Sequence, residues 1–402
     1  MKNRHKFSKI QIVVLIAILF LLITACSIIE GNSGYHYQPP PQADDGWQTA
    51  SLDEVGMDTE RISAFMDALS EYPDHWIHGV LVVKEGKLVF EEYFQGRDLD
   101  LSDLDGKLDF RTMDFDRETL HSAASVSKSI TAVLFGIAID QGLVAGTDEA
   151  LFSFFPDYED FNDPVKSQIT LAHMLSMGSG LPWTESYSYD DSRNDLTAMI
   201  YSEDPIAYVL RKETVADPGQ KFIYNSGTTN LMGEIIRRRS GMTLADYAEQ
   251  YLFAPLDIVT YEWYPFPNEP EMMVASSTLY LRPRDMAKIG QLYLDGGMWQ
   301  GTRVVSENWV SQSTKLVIDM VASESPVPNL NPAYGYQWWL GTFPTGETKT
   351  YFAAGYGGQF IFVLPEPEMV VVFTAGGFED GNYDALLQIV NETILPAAGI
   401  AN

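Results

Sequence analysis

The chain has 402 residues, 26 basic and 55 acidic, a formal net charge of −29 and a sequence pI near 4.4. A field of that sign repels phosphate backbones and anionic head groups, which excludes nucleic-acid binding through a broad basic face. With 46% hydrophobic and 20% charged residues the chain has the balance of a folded protein, and its one cysteine excludes an internal disulfide framework and any multi-thiolate zinc site.

Residues 1–25 read as an export signal: Lys2, Arg4, Lys6 and Lys9 precede an apolar run from Ile10 to Ile23. That run is short for a membrane span, which needs about 20 apolar residues, and suits a signal peptide. It ends Leu22-Ile23-Thr24-Ala25-Cys26, which resembles the cleavage box of bacterial lipoproteins, with Cys26 as the lipidated first residue. Residues 26–50, containing Pro39-Pro40-Pro41, read as a tether. The remaining 51–402 exceed the roughly 250–300 residues that one core usually serves, so two lobes are expected.

Next in order, Gly79 to Val83 and Leu88 to Phe90 flank Lys84-Glu85-Gly86-Lys87, a β-hairpin pattern. Ile130 to Ile139 is apolar on all sides and predicts a buried helix stopped by Gly142. Leu231, Met232, Ile235 and Ile236 give one apolar face on a second helix. Arg237-Arg238-Arg239 at its end read as a solvated terminus, followed by Gly241. Tyr334 to Leu340, Phe360 to Leu364 and Met369 to Thr374 read as strands, and Asp384 to Ile394 as a last helix closed by Pro396. The fold class is therefore α/β in the α+β sense. An antiparallel sheet and its flanking helices are built by both termini, and an all-α lobe of about residues 130–300 is inserted between them. The cleft between lobes is the natural ligand site.

The chain has no H-E-x-x-H, P-loop, dinucleotide fingerprint or G-x-S-x-G, and its histidines show no ligand spacing. It does carry one S-x-x-K, Ser125-Val126-Ser127-Lys128. Three residues apart on a helix, the two side chains share a face. Ser125 falls at the first turn, where the helix dipole favours an oxyanion, and Lys128 is carried into a poorly solvated place that lowers its pKa and makes it a proton acceptor. A second candidate is Tyr224, in a turn before a helix; beside a lysine ammonium its phenol pKa is expected to fall. The third is Ala353-Ala354-Gly355-Tyr356-Gly357-Gly358-Gln359, whose glycines let a substrate backbone approach and whose N–H could join that of Ser125 in an oxyanion hole. Each has a plainer alternative: a capping serine with a surface lysine, a core tyrosine, a flexible turn.

In this order the three segments resemble the serine β-lactamase-related family of penicillin-recognising hydrolases. That family includes class C β-lactamases, D-alanyl-D-alanine carboxypeptidases, esterases and 6-aminohexanoate-dimer hydrolases. Supporting stretches are Ile169 to Leu181, Pro218-Gly219 before Tyr224, and Arg282 to Ala287. The resemblance implies a β-lactamase/transpeptidase-like fold, Ser125 as acylated nucleophile, Lys128 as its base and Tyr224 as proton donor to the leaving group. It further implies an oxyanion hole from the N–H groups of Ser125 and Tyr356, and substrate contacts at Ser226, Gly355 and Gly357, with no metal or organic cofactor. Two positions depart from the family pattern: Ser226 stands where Y-x-N has Asn, and Ala353 where the third motif opens with Lys or His. The pattern is closer to the esterase and 6-aminohexanoate-dimer hydrolase branch.

The expectation is a serine hydrolase of the bacterial envelope, held to the membrane by Cys26 and facing outward, that cleaves a small ester or amide. A carboxypeptidase or β-lactamase on cell-wall-like substrates is the second reading, and a non-catalytic acyl-binding sensor the third.

Overall fold

The computed structural model describes residues 34–72, 75–100, 109–320, 325–378 and 383–401. The expected signal segment and Cys26 lie outside the described residues. Eight strands form the main sheet: β1 (Gln48–Thr49), β2 (Ile77–Lys84), β3 (Lys87–Tyr93), β4 (Ala333–Tyr334), β5 (Trp339–Phe343), β6 (Thr348–Gly355), β7 (Gln359–Leu364) and β8 (Met369–Ala375). Their spatial order is β1-β3-β2-β8-β7-β6-β5-β4. All neighbours are antiparallel except the edge pair β1 and β3, which is parallel.

The central strands are apolar on both faces because both faces are covered. Leu81, Val83, Ile361, Val363, Val370 and Val372 point into one core, shared with the helical insertion. Val80, Val82, Phe360, Phe362, Val371 and Phe373 point into the other, shared with α1 (Thr59–Ser70) and the C-terminal helices. The buried apolar helix is α2 (Val126–Asp140), with Gln141 as C-cap and Gly142 just beyond it at φ 71°. Beside it run α3 (Ser226–Ser240), ended by Gly241 at φ 73°, and α4 (Pro283–Leu294), which packs on the sheet. The hairpin falls where expected, with Glu85 and Gly86 at φ 53° and 73° making its turn.

Several expectations need correction. Residues 34–50 are docked on the sheet instead of hanging free as a tether. Trp47 is 2% exposed and donates Nε1–H to the Arg284 carbonyl at 3.1 Å, and the Tyr37 hydroxyl donates to the Val89 carbonyl at 2.7 Å. Tyr334 to Leu340 is a hairpin, β4 and β5, because Gln337 takes φ 60° and reverses the chain. The insertion is mostly helical but includes paired short strands, among them Tyr261–Trp263, Pro265–Phe266, Glu269–Met273 and Leu279–Leu281. The last helix runs past Ile394 as a π-helical turn over Ile389–Ile394 and continues through Pro396; the wider turn accommodates the residue that lacks an N–H. The arginine run is only partly solvated: Arg237 and Arg238 both bond the carboxylate of buried Glu234, and Arg239 lies over the Phe154 ring.

Candidate active site

Ser125 sits at the N-cap of α2, half-buried, with its side chain turned away from the cap role. Ala124 before it is at φ 45°, a conformation uncommon for a residue with a Cβ, and this bend brings the strand residues His121–Ser122 straight into the helix. The first amides of the helix bond back as Val126 to Ala123 and Ser127 to Ala124, while the Ser125 N–H has no protein acceptor among the described residues. That leaves a donor at the positive end of the helix beside the Ser125 hydroxyl.

Lys128, one turn on, is 1% exposed and has its Nζ 2.9 Å from Ser125 Oγ and 3.1 Å from the carbonyl oxygen of Ser276. Burial lowers its pKa to about 8, against a smaller opposite pull from the Glu185 carboxylate. Ser276 is itself fixed by Asn230 on α3, whose Oδ1 accepts the Ser276 N–H at 3.1 Å and whose Nδ2 donates to the Ser276 hydroxyl at 3.0 Å. The nucleophile helix and the tyrosine helix are thereby tied through the group that holds the lysine.

Tyr224 meets both. The Ser125 side chain bears on its hydroxyl and pulls its pKa down, against larger opposing effects. The Lys128 Nζ, however, lies over the ring at 4.8 Å from its centroid, and Trp339 stacks on the ring at 5.8 Å. The expected fall in phenol pKa is therefore reversed. Burial, and next the Glu185 charge, push Tyr224 well above the usual phenol range, so at neutral pH it carries its proton.

The third segment closes the site on the sheet side. Gly355, the last residue of β6, packs so closely on the loop before Ser125 that a Cβ there would lie 2.5 Å from the Ala123 carbonyl oxygen and 3.2 Å from the Ala124 Cβ. Tyr356 follows directly, half-buried, its hydroxyl donating to the Phe378 carbonyl at 2.5 Å. The Gly357 N–H, in contrast, donates to the Tyr383 hydroxyl at 3.0 Å and is taken. Ala353, two residues back on the same face, is 0% exposed in the core layer with Val126 and Ile130 and puts no cation in the site. Ser226, 0% exposed at the start of α3, has a hydroxyl without a hydrogen-bond partner among the described residues. The structure thus brings Ser125, Lys128 and Tyr224 into contact and sets Gly355 and Tyr356 beside them.

Sequence reasoning missed Glu185, Tyr189, Ser276 and Trp339. Ser276 acts through its carbonyl, which any residue supplies. Glu185 and Tyr189 lie in an irregular loop with no periodicity to mark a face. The pair Trp338-Trp339 is an aromatic run of the kind that usually marks core, and both rings are buried, one in each core.

The beta-lactamase family model matches residues 60–390. The chain is similar to the 6-aminohexanoate-dimer hydrolase of Paenarthrobacter ureafaciens, 24% identical over 269 residues that cover 63% of this chain and 65% of that one. It is also similar to the lovastatin esterase of Penicillium rubens, 24% identical over 196 residues, 43% of this chain and 46% of that one. Both matches span less than two thirds of the relative's own length. Among solved structures, a putative 6-aminohexanoate-dimer hydrolase from Bacillus anthracis superposes with a TM-score of 0.63 at 20% identity, over 82% of this chain and 81% of that one. With the match of residues 60–390 spanning most of its length, the chain belongs to the beta-lactamase family.

Proposed function

We propose that this protein is a serine hydrolase that cleaves a small ester or amide through an acyl-enzyme on Ser125. The observation that carries the reading is the contact of the Ser125 hydroxyl with a buried lysine amine at 2.9 Å, the same amine lying over the ring of Tyr224 at 4.8 Å. Lys128, with its pKa lowered to about 8, is partly neutral near pH 8 and takes the Ser125 proton as Oγ attacks the substrate carbonyl carbon. The oxyanion that forms is held by the N–H of Ser125 and that of Tyr356. On collapse the C–O or C–N bond breaks, and the leaving alcohol or amine takes a proton from Tyr224, which regains one from the Lys128 ammonium. Water then adds to the acyl carbonyl, gives its proton to the same pair, and Ser125 leaves with a proton restored.

The test is steady-state hydrolysis of a short-chain p-nitrophenyl ester by the wild type and by Ser125→Ala. Loss of at least about 1,000-fold in kcat is expected, and equal turnover in the two proteins would overturn the reading. Attachment to the outer face of a bacterial membrane through lipid on Cys26 is the second part of the proposal, supported by residues 1–26 alone. No helix among the described residues is long and apolar enough to cross a membrane. Radiolabelled palmitate incorporated by the wild type but not by Cys26→Ser would support it, and equal labelling would refute it.

A further inference from the structure

Glu185 is the side chain in the site that the hydrolytic steps leave without a task. Its carboxylate accepts Nε1–H of Trp183 at 2.6 Å on one oxygen and the Tyr189 hydroxyl at 3.5 Å on the other. Among the described residues no lysine, arginine or histidine nitrogen pairs with it within 4.0 Å. The cations elsewhere in this region are engaged: Lys212 with Asp195 at 2.7 Å, Arg193 with Asp191, and the Arg97 guanidinium over the Phe110 ring. Glu185 is half-buried and stands between two aromatic walls that reach both sides of the nucleophile. Tyr189 meets Tyr356 edge to face at 5.1 Å, on the sheet side. Trp183 packs against Gly227 at the start of α3, on the tyrosine side, where a Cβ would lie 2.7 Å from its ring.

The charge inventory of the mouth follows. Ala353 supplies no cation, and Lys128 is buried and largely occupied with Ser125 and the Ser276 carbonyl. A substrate carboxylate entering here meets the Glu185 carboxylate, and among the described residues the nearby Lys212 is already paired with Asp195. A substrate ammonium meets that carboxylate beside the rings of Tyr189 and Tyr356, a combination that favours desolvated cations, while the Trp183 ring holds Glu185 in place through Nε1 and carries the Asp195-paired Lys212 over it at 5.3 Å.

We infer that Glu185, framed by Trp183 and Tyr189, is the specificity-determining residue of the site and selects esters or amides that carry an ammonium group. This rests on the hydrolase reading and narrows it to cationic substrates, against neutral acyl compounds and against anionic ones such as carboxylate-bearing lactams.

The experiment uses isosteric pairs that differ only in charge. On the acyl side these are the p-nitrophenyl esters of 4-(trimethylammonio)butanoate and 5,5-dimethylhexanoate; on the alcohol side, butyrylcholine and 3,3-dimethylbutyl butyrate. With each rate divided by its spontaneous hydrolysis, kcat/KM of the full-length wild type should favour the cation at least about tenfold in one pair. In Glu185→Gln, which preserves the shape and the acceptor for Trp183, that ratio should fall to within about threefold of unity. A ratio near one for both pairs in the wild type, or one unchanged in Glu185→Gln, overturns the inference. If the wild type turns over none of the four, the hydrolase reading fails instead. The inference is then decided by calorimetric binding of the N-butyl amides of the same two acids. A cation preference lost in Glu185→Gln upholds it, and equal affinities overturn it.

Discussion

Ser125 touches two groups whose protons are displaced in opposite directions from the expectation for free side chains. Lys128 is brought down to about 8 by burial, and Tyr224 is driven up by the same cause. Because the base must be neutral to accept the serine proton, kcat/KM on a neutral ester should rise with pH along a limb centred near 8. Ionisation of Tyr224 should produce no falling limb below pH 10. Glu185 raises the Lys128 pKa, so Glu185→Gln should move the rising limb to lower pH. A pH–rate profile that is flat from 6 to 10, or a shift of the limb to higher pH in the variant, would contradict this assignment. The serine and lysine were legible in the sequence because helix spacing alone puts them on one face. The protonation state of Tyr224 was not, since it depends on burial and on the Glu185 charge, matters of packing that no local pattern encodes.

Among the elements, the hairpin between β4 and β5 does more for the site than its length suggests. Gln337, at φ 60° and 1% exposed, accepts from Thr229 of α3 at 2.9 Å and from Ser129 of α2 at 2.6 Å through its backbone carbonyl. Its amide donates to the Met174 and Leu175 carbonyls at 3.3 and 2.9 Å. One residue, through its backbone and its side chain, thus joins the nucleophile helix, the tyrosine helix and the short helix Leu171–Leu175 to the sheet. Gln337→Met keeps the volume but removes three buried hydrogen bonds, and is expected to cost about 2–4 kcal/mol, read as a lowered midpoint in urea denaturation with an unchanged slope. A midpoint equal to wild type would show that those bonds do not hold the helices. The two long helices α2 and α3 and the strands β2, β3, β7 and β8 were readable from apolar runs and their stops. The β4–β5 hairpin was not, because its reversal rests on a non-glycine residue in left-handed geometry whose compensation is entirely tertiary.

At the scale of the whole molecule, the two cores meet at the sheet, and two buried histidines stand together at the strand that leads to Ser125, His121 within it and His78 beside it. His78 and His121 are 0% and 1% exposed, with Phe115 stacked on both at 3.9 and 4.6 Å between ring centroids. Burial lowers His78 to about 4 and holds His121 well below the usual imidazole range. The unfolded chain takes up these protons below pH 6.5 while the folded one does not, so stability is full above that pH and falls as the pH drops toward 4. His78 alone contributes a loss of up to about 3 kcal/mol. Urea denaturation at pH 7 and pH 5 should show the decline, and His78→Gln should show a smaller one; an equal decline would remove His78 from the account. Composition and charge had already limited the molecule to a folded acidic chain, and the strands at both ends of the sequence had indicated a sheet closed by the termini. The docking of residues 34–50 was hidden because a proline-rich acidic stretch reads as a spacer until Arg284 is found, 2.7 Å from the Asp45 carboxylate. The most direct test of the central claim is intact-protein mass spectrometry after acid quench of a reaction with p-nitrophenyl butyrate. The account predicts one butyryl adduct, mapped to the peptide containing Ser125 and absent in Ser125→Ala. An adduct on another residue, or one that persists in Ser125→Ala, would contradict it.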